Sequence, residues 1–209
     1  MEAFDRKQHW EKIYAKKELR EVSWFQSVPE TSLAFLEKFQ LPLTAKIIDI
    51  GGGDCLFVDH LLARGYQNIT VLDISEAAIG RAKKRLGSLA DKVHWIIADA
   101  SHFQPEETYD FWHDRAAFHF LTEENEINNY LLTAQRSIHQ NGILVIGTFS
   151  EQGPTKCSGI EIKQYSENSM TERLKQFFKK IQCIYVDHKT PMETIQNFIF
   201  CSFRKYGSA

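Results

Sequence analysis

No apolar run in this 209-residue chain approaches the ~20 residues that a membrane-spanning helix needs. The opening segment, Met1-Glu-Ala-Phe-Asp-Arg-Lys7, lacks the apolar core of a secretory signal. The four cysteines, Cys55, Cys157, Cys183 and Cys201, are widely spaced and form no Cys-x-x-Cys pair. That argues against a structural zinc site and against a disulfide framework, so a reduced, cytoplasmic protein without a bound metal is expected. Charge of one sign is missing too: 25 lysines and arginines face 27 acids, for a net charge of −2. No global field draws the chain to nucleic acid or an anionic membrane. The local basic groups, residues 81–85 and Lys175, Lys179 and Lys180, read as solvated helix faces. Repeats, low-complexity tracts and long linkers are also lacking, which predicts one domain over 1–209.

What the chain has is an alternating pattern from residue 46 onward. Strand-like runs fall at 46–50, 69–73, 93–98, 108–113 and 143–149. Between them, apolar residues recur at helical spacing. Phe57, Val58, Leu61 and Leu62 make one face, and Ile79, Ala82 and Leu86 a second. Ile127, Tyr130, Leu131, Ala134 and Ile138 make a third. Such alternation implies right-handed βαβ crossovers, a parallel sheet and helices on both its faces. After a helix marked by Leu174, Phe177, Phe178 and Ile181, two strand-like runs follow, Cys183–Val186 and Phe198–Phe203. The link between them is too short for a helical crossover, so they should pair antiparallel. The expected fold is a three-layer doubly wound α/β sheet of seven strands with a terminal antiparallel pair.

Residues 1–45 precede that core, which spans 46–209. Residues 5–19 read as a helix with Trp10, Ile13 and Tyr14 along one side. Trp24-Phe25 follows, then a helix entry at Pro29-Glu30-Thr31. This aromatic-rich segment is a candidate lid over the carboxyl ends of the strands, or plain core against the sheet.

In doubly wound sheets, ligands sit outside those carboxyl ends. The first strand ends in Asp49-Ile-Gly51-Gly52-Gly53, a glycine turn where a side chain would keep the backbone from closing on a ligand. The second ends in Asp73-Ile74, about 20 positions on, where an acid can reach ribose hydroxyls. The third ends in Asp99-Ala100 and the fourth in His113-Asp114-Arg115. One acid alone can be a helix cap; three at successive strand ends favour a ligand site. A dinucleotide fingerprint would need a third glycine at position 56, which is Leu56. This disfavours a nicotinamide-dependent oxidoreductase.

Acid-x-Gly-x-Gly, as in Asp49-Ile-Gly51-Gly-Gly53, resembles instead the glycine loop of the class I S-adenosylmethionine-dependent methyltransferases. The likeness spans nearly the whole chain, with Cys55 standing where many members carry a glycine. It implies S-adenosylmethionine as cofactor, held by Asp49, Gly51, Gly52, Gly53, Asp73, Ile74, Asp99, Ala100 and His113, with Trp10, Tyr14 and Trp24 as enclosing aromatics. Asp73 would be the ribose acid and Asp99-Ala100 the adenine edge. A narrower likeness, in Trp24-Phe25 and in His113-Asp114-Arg115-Ala116, is to a subgroup that includes protein-lysine methyltransferases; Arg115-Ala116 replaces that subgroup's Lys-Gly. The implied activity is methyl transfer to a small molecule or a protein side chain, and a cofactor-binding module without turnover is the alternative. His113 and Asp114 are the candidate bases by position. His119 and Cys157 read as core and pocket wall. Nucleic acid is not expected as a substrate.

Overall fold

A computed structural model describes residues 4–207. Seven strands form one sheet: β1 (Lys46–Ile50), β2 (Asn68–Asp73), β3 (Val93–Ile97), β4 (Tyr109–Arg115), β5 (Ile138–Phe149), and, past a small two-stranded hairpin of β6 (Lys156–Cys157) and β7 (Ile160–Glu161), β8 (Phe178–Lys189) and β9 (Ile195–Lys205). Their order is β3-β2-β1-β4-β5-β9-β8. β1 to β5 pair parallel, whereas β9 is antiparallel to both β5 and β8. The expected seven-stranded sheet with its terminal antiparallel pair is borne out.

Side-chain alternation splits the core in two. Ile47, Val71, Phe111, Val145 and Phe200 face one way, under α1 (Arg6–Lys16), α2 (Glu30–Lys38), α3 (Phe57–Ala63) and α4 (Glu76–Leu86). Ile48, Ile50, Trp112, Leu144 and Phe203 face the other, under α5 (Glu124–Ser137) and α6 (Glu167–Leu174). Burial of these large side chains stabilises each by about 1.5–3 kcal/mol relative to exposure.

Four sequence expectations need correction. The helix marked by Leu174, Phe177, Phe178 and Ile181 ends at Leu174, and Phe178 and Ile181 already belong to β8. The helix starts earlier because Ser166 and Ser169 cap it reciprocally. Ile138, counted on a helix face, opens β5. Short apolar spacings fit both periods there, and pairing with β4 decides for strand. Cys183 and Cys201 stand opposite one another in the β8–β9 register and form a disulfide, which their spacing of 18 residues in sequence did not announce. In a reducing compartment the same pair would be two thiols packed between strands. Arg81 and Arg85 are likewise not solvated: both bind the buried Asp54.

Candidate functional site

At the carboxyl end of β1 the chain turns through Gly51 (φ +67°) and Gly53 (φ +40°). The Gly51 and Gly52 amides both donate to the Leu72 carbonyl, at 2.8 and 3.2 Å, which lashes the loop to β2. Side chains are excluded here by space as well as by φ. A Cβ on Gly51 would lie 2.6 Å from the Ala117 Cβ, and one on Gly53 would lie 2.5 Å from Asp73 Oδ2. Beyond the glycines, Asp54 is clamped by Arg81, at 2.9 Å, and by Arg85, fixing the loop to α4.

The loop floors an open cleft that encloses, mouth included, roughly 810 Å³. Gly51, Asp73, Ile74, Asp99, Ala100, Trp10, Tyr14 and Trp24 all line it. Sequence reasoning therefore assembled most of one wall. Gly53 borders the same space through Asp73 and the Tyr14 hydroxyl. Asp49, Gly52 and His113 line a smaller neighbouring cavity that shares Gly51, Cys55, Trp24 and Arg115 with the first.

Asp73 is 5% exposed, accepts from the Ser75 amide at 2.8 Å, and has no ion-pair partner among the described residues. Burial pushes its carboxyl up to about 7, with Asp49 and Glu11 adding repulsion and the Ser75 amide opposing. A buried carboxyl beside a cradle that a Cβ would fill suits a neutral hydroxyl donor such as a ribose, so the residues present fit an adenosine cofactor. Asp99 is already engaged, accepting from the Ser101 amide and hydroxyl and from Arg6. Burial works against ionisation of Asp99, but Ser101 and Arg6 outweigh it and hold the carboxyl below its ordinary value.

The amino-terminal segment closes over the cleft. Arg6 bridges Asp99 at 3.0 Å and Glu126 at 2.9 Å. On the same helix, Glu11 caps α4, accepting from the Ser75 hydroxyl and the Glu76 and Ala77 amides. Trp10 lies between these two clamps and Tyr14 follows Glu11 on the same helix; Trp10 is edge-on to Trp24 and Tyr14 at 71° to it, with ring centroids 5.6 and 6.1 Å away. The next stretch is fastened by Arg115 to the Trp24 carbonyl, at 3.1 Å, and by His188 to the Ser23 carbonyl, at 2.7 Å. Trp10 and Tyr14 belong to the hydrophobic core and also line the cleft, so the segment carries features of both readings, plain core and lid.

The two candidate bases are not brought to the cleft. His113 bonds Asp49 at 2.6 Å and Ser32 at 2.8 Å, beneath the glycine loop. Asp114 is fully buried on the opposite face of the sheet, where it accepts from the Ala117 and Phe118 amides and the Tyr130 hydroxyl. Strand alternation is the reason: in β4, His113 and Arg115 point one way and Asp114 the other. Nor do Asp114 and Arg115 pair. His119 is core. Its Nδ1 accepts from the Phe149 amide, and burial with Arg115 nearby lowers it to about 3. Burial also raises Cys157 to about 11, leaving a neutral thiol in the wall. Sequence reasoning missed Arg6, Phe149, Gln196 and Phe198, all of which line the cleft, and it placed Arg115 at the end of the fourth strand without giving it a role. Parity along β4 could have placed Arg115; nothing local announces Arg6 or Gln196.

With the geometry in place, comparison with known proteins adds the following. Residues 47–142 match the family model described as a methyltransferase domain. Malonyl-[acyl-carrier protein] O-methyltransferase 1 of Ilyobacter polytropus is 27% identical over 107 residues, 51% of this chain and 38% of that protein. EEF1A lysine methyltransferase 2 of Mus musculus is 30% identical over 89 residues, 37% of this chain and 35% of that protein. The chain thus spans little more than a third of the length of these relatives. Among solved structures, the N-methyltransferase NodS of Bradyrhizobium japonicum in complex with S-adenosyl-L-homocysteine has a TM-score of 0.72 at 17% identity, covering 96% of this chain and 99% of that one. A SAM-dependent methyltransferase from Anabaena variabilis has a TM-score of 0.75 at 13% identity, covering 97% and 96%. At these identities the likeness establishes a shared fold.

Proposed function

We propose that this chain, whose residues 47–142 match a methyltransferase-domain model, transfers a methyl group from S-adenosylmethionine to a small-molecule or protein side-chain acceptor. The observation that carries the reading is Asp73: a buried carboxyl without a cation, set against a glycine turn closed to any side chain. We read residues 1–209 as one domain, acting in the cytoplasm. Among the described residues no helix is long and apolar enough to cross a membrane. Net charge gives no support to a nucleic-acid acceptor.

When bound, S-adenosylmethionine supplies a methyl group on a sulfonium, a leaving group that needs no protonation. Asp73 would accept from the ribose hydroxyls, and the Gly51–Gly53 backbone would leave the cofactor room beside β1. Ile74, Asp99 and Ala100 wall the adenine end, with Arg6 holding Asp99 in place. Trp10, Tyr14 and Trp24 exclude water, and their rings favour a cation by about 0.5–2 kcal/mol. Asp49 and His113 brace the glycine loop from below. The chain contributes chiefly alignment, which suits an in-line displacement.

Calorimetric titration with S-adenosylhomocysteine and with NAD tests the cofactor, and transfer of a labelled methyl group into a cell extract tests turnover. Binding of NAD alone would overturn the reading. S-adenosylhomocysteine binding without label transfer would leave a cofactor-binding module.

A further inference from the structure

The cleft has two charged ends of different character. Toward β2 and β3, Arg6 is balanced by Asp99 and Glu126. On the far side, across β4, β5 and β9, Arg115 lines the cleft with Phe149, Cys157, Gln196 and Phe198, and no acid stands among these neighbours. Arg115 has no ion-pair partner among the described residues. Its Nη1 donates to the Trp24 carbonyl at 3.1 Å, and its guanidinium carbon lies 5.2 Å from the Phe198 ring centroid. Its Nη2 is buried and bonds to nothing in the protein. The one carboxylate near enough to act on it through space, Asp49, is committed to His113. Cys55 and Cys157 are pushed up to about 12 and about 11 by burial, so they are neutral. His119 is neutral as well; because its Nδ1 accepts, its proton sits on Nε2, which also lacks a partner.

A partly buried guanidinium with one nitrogen fully enclosed and no counter-charge is costly. What would relieve it is planar and anionic, since a carboxylate matches the free edge of the guanidinium and binds it with short, charge-assisted hydrogen bonds. We propose that the methyl acceptor is a small molecule bearing a carboxylate, and that Arg115 Nη2 docks it among Trp24, Phe149 and Phe198. This rests on the reading of the chain as a methyltransferase. It also narrows that reading, because the field that attracts a carboxylate opposes a lysine ammonium, and no acid at this end offsets it. A carboxylate could also come from the amino-acid part of the cofactor. Arg115 borders Gly51 and Cys55 of the glycine loop on one side and Phe149, Cys157 and Phe198 on the other; that apolar wall favours the acceptor, and 5′-methylthioadenosine separates the two sources.

The test titrates the whole chain with benzoate and with benzamide, its uncharged counterpart, each with and without S-adenosylhomocysteine. Wild type is compared with Arg115→Gln and Arg115→Lys. S-adenosylhomocysteine and 5′-methylthioadenosine, which lacks the amino-acid part, are titrated against all three proteins. Benzoate should bind wild type at least about tenfold more tightly than benzamide does, and Arg115→Gln should remove that difference. Arg115→Lys should keep part of it. S-adenosylhomocysteine and 5′-methylthioadenosine should weaken by the same small factor in each variant, because both variants lose the bond that fastens Trp24; thermal melts show that they fold. Absence of benzoate binding to wild type, equal binding of benzoate and benzamide, or unchanged benzoate binding in Arg115→Gln would overturn the proposal. So would an Arg115→Gln protein that loses S-adenosylhomocysteine but keeps 5′-methylthioadenosine, since the arginine would then hold the cofactor's carboxylate. If wild type binds benzoate through Arg115 but not S-adenosylhomocysteine, the methyltransferase reading fails while the anion site stands.

Discussion

Arg6 and Asp99, separated by 93 positions in sequence, meet at 3.0 Å across the mouth of the cleft. Their contact joins the first helix to the end of β3, and the same guanidinium reaches Glu126 at the start of α5. The side chains are 18% and 26% exposed, so the pair is neither a surface bridge nor a buried one.

Arg6→Ala should therefore act on binding more than on folding. A partly buried pair of this kind contributes about 1 kcal/mol to stability. Loosening the helix that carries Trp10 and Tyr14 should weaken S-adenosylhomocysteine by about three- to tenfold, with faster dissociation. Stopped-flow binding and a thermal melt of the same variant separate the two effects. A variant that melts much earlier but binds normally would show that the helix is scaffold only.

Asp73 gives a pH dependence with a definite sign. An unfolded aspartate titrates near 3.9, and burial pushes the folded group up to about 7. Between those values the folded chain holds a proton that the unfolded chain has lost. The stability of the cofactor-free protein should fall as pH rises through this window. Binding that needs the ionised carboxylate should strengthen by about tenfold from about pH 6 to about pH 8. Asp73→Asn should be weaker at every pH and flat across this range. Calorimetry at several pH values decides it; a wild-type affinity independent of pH would remove Asp73 as the ribose acid.

Gly53→Ala should abolish measurable cofactor binding. Its Cβ would lie 2.5 Å from Asp73 Oδ2, and the residue sits at φ +40°. The strain costs on the order of 1–2 kcal/mol, and the displaced carboxylate is the one proposed to hold the ribose. Equal affinities for S-adenosylhomocysteine would refute this account of the turn.

Asp114 should behave as scaffold. Asp114→Ala leaves two amides and the Tyr130 hydroxyl without their acceptor, a cost on the order of 3 kcal/mol by denaturant melts. Affinity for S-adenosylhomocysteine should hold in the protein that remains folded. A variant that is stable but inactive would return Asp114 to the reaction.

A fifth change bears on the departure at residues 115–116. Ala116 has φ +68°, the left-handed region that glycine occupies freely and alanine does not. Ala116→Gly should raise stability by about 0.5–1 kcal/mol in a denaturant melt, the relief of strain exceeding the flexibility gained by the unfolded chain. A destabilised glycine variant would mean that the alanine methyl packs better than its backbone is strained.

The sequence by itself determined the sheet and the ligand loop. Strand period, helix faces and the short link before β9 are local properties, written in neighbouring residues. The acids at the ends of β1, β2 and β3 are legible for the same reason, since a strand end brings its terminal residues to the edge whatever else the chain does. Tertiary structure decided what each group faces. In β4 a single step of alternation buries Asp114 against α5 and turns Arg115 into the cleft, a difference that composition and motif order do not carry. The Arg6 clamp, the Cys183–Cys201 pair and the walls supplied by Gln196 and Phe198 depend on contacts between distant segments. Such contacts form when the sheet closes and the first helix crosses its end. That is why the sequence pointed to a cofactor, and why the character of the acceptor end emerged only with the fold.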